Sequence, residues 1–156
     1  MRKPRSKPLA PDADETAWLE ETSKLIQQGR HAELDFPKIG DYLAEMAQRD
    51  RRELRGRLVL LLANLLAWNY RARKQTKSWR KEIVTERQEL AESLGRGVLR
   101  KHAKSVLAGA YADALALAAA ESGLPAAKFP LKCPYTLDRL LAADVLGTSA
   151  APGSIA

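Results

Sequence analysis

The chain has 156 residues, of which 46% are hydrophobic and 29% charged, with a formal net charge of +7. At this length one domain is the default, and roughly 68–70% of the unfolded surface is buried on folding, so no disulfide or metal staple is needed. Cys133 is the single cysteine, which excludes an internal disulfide and suits a reducing cytoplasm.

Residues 1–11, with three prolines and Arg2, Lys3, Arg5 and Lys7, read as a flexible basic arm. LAPDADET follows these basic residues where a secretory leader would have an apolar run, so export is not expected. Residues 12–146 read as one helical domain, and 147–156, GTSAAPGSIA, as a disordered tail. Nothing alternates with period two over a useful length, so no strand is predicted.

The first helix is predicted over 15–28, with Asp14 as its cap, Trp18, Leu19, Thr22, Leu25 and Ile26 on one face, and Gly29 as its stop. A second helical region runs over 36–73, with Asp35 as cap and Pro37 in its first turn. Ile39, Leu43, Met46, Leu54, Leu58, Leu61, Leu65 and Trp68 recur at three and four and form a core stripe. Unbroken, it would be about 56 Å long. A bend or break is therefore expected near 48–52, where Asp50 interrupts the stripe, or else a projecting end.

A third helix starts near Ser78, a good cap, and carries Trp79, Ile83, Leu90 and Leu94 until Gly95 and Gly97 turn the chain. A fourth runs over 98–122, with Leu99, Val106, Leu107, Ala110, Tyr111, Ala114 and Leu117 inward, Gly123 ending it and Pro125 preventing continuation. Its many alanines permit close helix approach and leave few bulky side chains to build a pocket. A fifth, short helix is predicted over 137–144, capped by Thr136 and stapled by Tyr135 against Leu140. Short connections between long helices predict an all-α, antiparallel up-and-down bundle of four main helices plus the short C-terminal one. The apolar run at 58–63 stops at Asn64, and the alanine-rich stretch near 108–120 carries Asp113, so no membrane span and no membrane partner are expected.

Several stretches are individual: Glu121-Ser-Gly-Leu-Pro125, Phe129-Pro130, Cys133-Pro-Tyr-Thr-Leu137, Arg51-Arg-Glu-Leu54, the run Leu61-Leu62, Leu65-Leu66, Trp68 and Tyr70, and Ser78-Trp79. Together they resemble, over about residues 15–143, a bacterial family defined as domain of unknown function twenty-nine. The resemblance implies an all-helical domain and no assigned activity. It also implies a histidine where this chain has Asn64, a lysine where it has Ala67, and more glutamates around 41–44, where it has Asp41, Tyr42, Leu43 and Ala44. A functional site made of those family residues would be partly lost here, which lowers any catalytic reading.

The charge is local. Arg71, Arg73, Lys74, Lys77, Arg80 and Lys81 form a basic elbow contributing +6, and the arm adds +4, leaving −3 for the rest. Such clustering could neutralise phosphates, with Tyr70 and Trp79 stacking on bases. The preferred reading is a solvated turn whose aromatics belong to the core, because a helix C-terminus also favours the cations at 71–74. Arg96 and His102, with five residues between them, resemble the ribonuclease motif of a nucleotide-binding helical family, but a glycine follows the arginine where a polar residue is usual. Only His31 and His102 are available for metals. Asp41 and Glu45 share a face without an accompanying Glu-x-x-His pair. No metal or cofactor is therefore expected. Lys132 could lower the thiol pKa of Cys133, yet no activating base is in view. The prolines at 125, 130 and 134 read as stiffening a strap that seals one end of the bundle, with Phe129 and Tyr135 as plugs.

The sequence thus points to a non-catalytic cytoplasmic helical interaction module. Its partner is another protein or a second copy, the latter because the apolar stretch 54–70 can serve an interface as well as a core. A nucleic-acid-binding protein using the elbow and arm is the alternative, and a metal-independent ribonuclease the outlying one.

Overall fold

The computed structural model describes residues 11–70, 72–95 and 97–146. Apart from Pro11, the expected arm and the expected tail lie outside them, as do Arg71 and Arg96. The described residues form five α-helices and two 3₁₀ turns, with no strand, so the protein is all-α. Within the span expected to be helical, the chain divides into two compact units, Met1–Glu45 and Met46–Ala156.

The first unit is a helical hairpin. Helix α1 is Glu15–Gln27; the Asp14 carboxylate caps it by accepting from the Ala17 N–H at 3.0 Å. Gly29 closes it with φ of 67°, a left-handed conformation that side-chain-bearing residues rarely adopt. A 3₁₀ turn, His31–Glu33, leads to helix α2, Phe36–Asn69. Asp35 caps α2, accepting from the Lys38 N–H at 3.1 Å. The hairpin is pinned by the Trp18 and Tyr42 rings, 5.0 Å apart, and by the Tyr42 hydroxyl donating to Glu15 at 3.0 Å.

Helix α2 runs unbroken for 34 residues, about 51 Å along the helix, so the expected break near 48–52 does not occur. Gln48, Arg49, Asp50 and Arg52 are all exposed. Asp50 interrupts the apolar stripe where no packing depends on it, and arginine and glutamine propagate a helix well. The helix also stops at Asn69 rather than at 73, where the Gln75 side-chain amide donates to the free Trp68 carbonyl at 2.8 Å.

In the second unit Leu58, Leu61, Leu62 and Leu65 are fully buried. Helix α3, Lys77–Ser93, adds Trp79, Ile83 and Leu90. Its cap is Thr76, whose hydroxyl accepts from the Trp79 N–H at 3.1 Å, and not Ser78. Helix α4, Val98–Ser122, contributes Ala103, Ala110, Tyr111, Ala114 and Ala118 to the same core. Alanine at these positions lets neighbouring helices close in without voids. Gly123 ends α4 in the left-handed region, its N–H donating to the Ala119 carbonyl at 3.0 Å. By length and composition α4 could cross a membrane, yet Asp113 on it pairs with Arg55 at 2.6 Å.

The strap between α4 and the last helix closes over aromatic groups. Phe129 is buried with its ring 5.3 Å from that of Tyr70, and Tyr135 is buried with its hydroxyl accepting from the Asn69 amide. The Tyr111 hydroxyl donates to the Pro130 carbonyl at 2.6 Å. Helix α5, Leu137–Leu141, is capped by Thr136 and ends earlier than predicted, because Ala142 is extended. Buried Arg87 on α3 donates to the Leu141 carbonyl at 2.9 Å and ties α5 down.

Burial pushes the hydroxyls of both Tyr111 and Tyr135 up to about 12. A raised tyrosine pKa contributes stability present below the unfolded value near 10 and lost as pH rises through the folded value. Ultraviolet titration is therefore expected to show these two of the four tyrosines ionising only near pH 12, together with unfolding.

Candidate functional site

The hairpin leaves its own apolar stripe uncovered. Helix α1 offers Trp18, Leu19, Thr22 and Ile26, and the first turns of α2 offer Ile39, Tyr42 and Leu43, as the walls of a groove of about 390 Å³. Of these only Trp18 is buried; Leu19 is 39% exposed, Ile26 49% and Leu43 62%, and nearby Phe36 is 62% exposed. Short helices owe most of their stability to packing of an amphipathic face. Among the described residues of this unit, Trp18 is the one buried side chain, with Leu25, Leu34, Ile39 and Tyr42 half-buried.

The hairpin is also acidic. Residues 11–45 hold nine Asp or Glu and three Lys or Arg, a net charge of −6. Glu20, Glu21 and Asp41 are exposed. In the whole-chain sum this charge is hidden within the −3 left outside the elbow and the arm. A count over residues 11–45 alone finds it. Leu43 and Tyr42, which line the groove, stand in the segment where the family resemblance implies glutamates.

The basic elbow is partly structural. Arg71 lies outside the described residues. Lys74, Lys77, Arg80 and Lys81 are exposed, the last three within the opening turns of α3. Arg73 is exposed too, but its guanidinium lies 4.1 Å from the centre of the Trp79 ring. The aromatics face inward: Trp79 is buried, Trp68 meets its edge at 5.0 Å, and Tyr70 packs on Phe129. Buried Trp79 offers a base no open stacking face of the kind single-strand binders use, and Trp68 and Tyr70 are partly buried against the core.

Behind Arg73 lies a polar cleft of about 390 Å³, lined by Asn64, Ala67, Ala72, Arg73, Glu121 and Ser122. The Asn64 carbonyl accepts from the Trp79 indole N–H at 3.2 Å, and its amide donates to the Glu86 carboxylate at 3.1 Å. Burial, opposed by the Asn64 hydrogen bond and helped by the charges of Glu82 and Glu89, holds the Glu86 carboxyl above its ordinary range. The fold thus brings together positions 64 and 67, where the resemblance implies a histidine and a lysine. Here they hold an amide engaged in structural hydrogen bonds and a methyl group.

Other candidates stay apart or are shielded. His102 is half-buried on α4, and its proposed partner Arg96 lies outside the described residues. Asp41 and Glu45 are exposed, and among the described residues no cluster of three or more His, Cys, Asp or Glu could hold a metal. Burial raises the Cys133 thiol, against the expected lowering by Lys132, and its Sγ donates to the Tyr135 carbonyl at 3.3 Å. The thiolate is the reactive form. Alkylation by iodoacetamide at pH 8 is therefore expected to run at least about tenfold slower in the native protein than after unfolding.

The family described as Domain of unknown function DUF29 matches residues 12–146. No curated protein and no solved structure matches the chain. The matched span takes in α1 to α5, and the chain belongs to the DUF29 family.

Proposed function

We propose that the protein is a non-catalytic helical interaction module of the cytoplasm that engages a protein partner through the groove between α1 and the first turns of α2. The observation that carries this reading is the exposure of Leu43, Ile26 and Leu19 along one groove in a unit whose interior is Trp18. Covering an apolar side chain is worth about 1.5–3 kcal/mol when complete, so three half-exposed residues supply a useful share of a binding energy. The apolar stretch of α2 that suggested self-association instead supplies Leu54, Leu58, Leu61, Leu62, Leu65 and Leu66 to the core of its own unit. The interface is therefore assigned to the other end of the same helix. The inward-facing aromatics of the elbow make nucleic acid the secondary reading.

A photo-reactive amino acid placed at Leu43 tests this in the native host, with exposed Gln88 on α3 as the control site. A discrete adduct of higher mass from position 43 and none from 88 is expected. Equal or absent adducts at both sites would remove the assignment of the groove.

A further inference from the structure

We infer that the basic elbow is a docking surface for the phosphate backbone of double-stranded nucleic acid, gripped without regard to base sequence. This surface lies in the second unit, so the inference stands apart from the groove and from the interaction reading. Lys74, Lys77, Arg80 and Lys81 are exposed, and among the described residues none of them enters an ion pair. Residues 70–81 hold no acid that could neutralise them. Several cations elsewhere in the unit are matched instead: Arg55 with Asp113, Arg57 with Glu53 and Glu89, Arg100 with Asp138. Arg73, held over the Trp79 ring at 4.1 Å, fixes a fifth exposed cation next to Lys74 in the chain.

Local structure does not account for these charges. Helix α2 ends at Asn69, so the dipole at its C-terminus favours Arg73 and Lys74 at most. Lys77 and Arg80 stand in the opening turn of α3, which holds no acid, and there the positive end of the helix disfavours cations. Charges on α3 also sort by sign. At 3.6 residues per turn, Lys77, Arg80 and Lys81 share an arc of about 100°, and Glu82, Glu86 and Glu89 an arc of about 60° on the other flank. The acid flank turns to α2, where Glu86 accepts from Asn64 at 3.1 Å and Glu89 from Arg57 at 2.8 Å. The basic flank meets no acid among the described residues. From Lys77 to Lys81 is about 6 Å of helix. Duplex DNA carries one charge per about 1.7 Å of axis, so roughly three or four phosphates pass along that length.

The same surface chooses among polyanions. Single strands are held by bases stacked on aromatic rings. Here Trp79 is buried, and Trp68 and Tyr70 are partly buried against the core. Lipid surfaces are held by apolar side chains inserted beside the cations. No large apolar side chain is exposed between 72 and 95. Three of the four free cations are lysines, which meet a phosphate as point charges and ask for no particular base. The duplex backbone needs neither a stacking ring nor an apolar anchor.

The test uses the full chain and labelled DNA and RNA duplexes of about 20 base pairs, with a single strand of the same length, titrated by fluorescence anisotropy between about 50 and 200 mM salt. The duplexes are expected to bind with a Kd of about 10⁻⁴ M or tighter near physiological salt, alike for unrelated sequences. Lys77→Gln combined with Lys81→Gln, both at exposed positions, is expected to weaken duplex DNA about tenfold or more and to flatten the log–log salt slope by about 2. Lys74→Gln, which lies before α3, is expected to flatten it by about 1 and carries the test if the double change shifts the thermal midpoint. Native affinity and slope in these variants overturn the inference. So does a slope that falls only with Lys3→Gln and Lys7→Gln, which places the contacts near the N-terminus. Tighter binding of the single strand than of either duplex overturns the backbone reading in favour of base stacking. No duplex binding at the lowest salt also overturns it, and co-sedimentation with phosphatidylserine vesicles would then give the elbow a lipid surface instead. The DNA and RNA arms tell which duplex is held more tightly.

Discussion

Replacing Trp79 with alanine is expected to lower the stability of the second unit by about 3–5 kcal/mol, measured by chemical denaturation. Trp79 is 3% exposed and holds three neighbours at once. Its ring meets the edge of Trp68 at 5.0 Å, its indole N–H donates to Asn64 at 3.2 Å, and Arg73 lies over its face at 4.1 Å. Alanine opens a cavity between α2 and α3 and leaves the Asn64 carbonyl without this donor. Trp79→Phe keeps most of the apolar volume and loses the N–H. It should cost about 1–3 kcal/mol, the range for leaving a buried polar group unpaired. If alanine and phenylalanine cost the same small amount, Trp79 is a surface ring, and it becomes available for stacking on nucleic acid.

The second large effect is a contrast within one helix. Leu65 and Leu43 both lie on α2 and belong to the same predicted stripe, but Leu65 is fully buried and Leu43 is 62% exposed. Leu65→Ala is expected to cost about 2–5 kcal/mol, whereas Leu43→Ala should stay within about 0.5 kcal/mol. Denaturation followed by far-ultraviolet circular dichroism separates the two. Equal costs would mean that the groove is core rather than surface, and the interaction reading would lose its basis.

That contrast also marks how far the sequence was legible. The heptad-like spacing from Ile39 to Trp68 identified a helix face, because an apolar stripe at three and four is a local property. It could not say what covers each part of the stripe, because burial depends on which other helices come alongside. The C-terminal half found α3 and α4. The N-terminal half borders a groove with α1. The caps at Asp14, Asp35 and Thr136 were readable because each serves N–H groups three or so residues on. At α3 two hydroxyl residues compete, and the packing of Trp79 settles the matter for Thr76 over Ser78. The elbow's charge was plain in the sequence. That Arg73 would be held over an indole was not, since it requires α3 to fold back beside the end of α2. The clustering of positions 64 and 67 with Arg73 and Glu121 in one cleft is long-range in the same way.

The acidic hairpin was missed for a different reason. The nine carboxylates of residues 11–45 were averaged with the rest of the chain, although charge acts over about a screening length and so is best counted over short spans. With α1 and the start of α2 taken together, Leu19, Ile26 and Leu43 line one groove.

The most direct test of that groove is amide hydrogen exchange of the full chain, free and cross-linked through position 43 to its partner. The account predicts slower exchange in α1 and over residues 36–45, with the core helices α3 and α4 unchanged. No slowing in the hairpin, or slowing confined to residues 46–146, would contradict it.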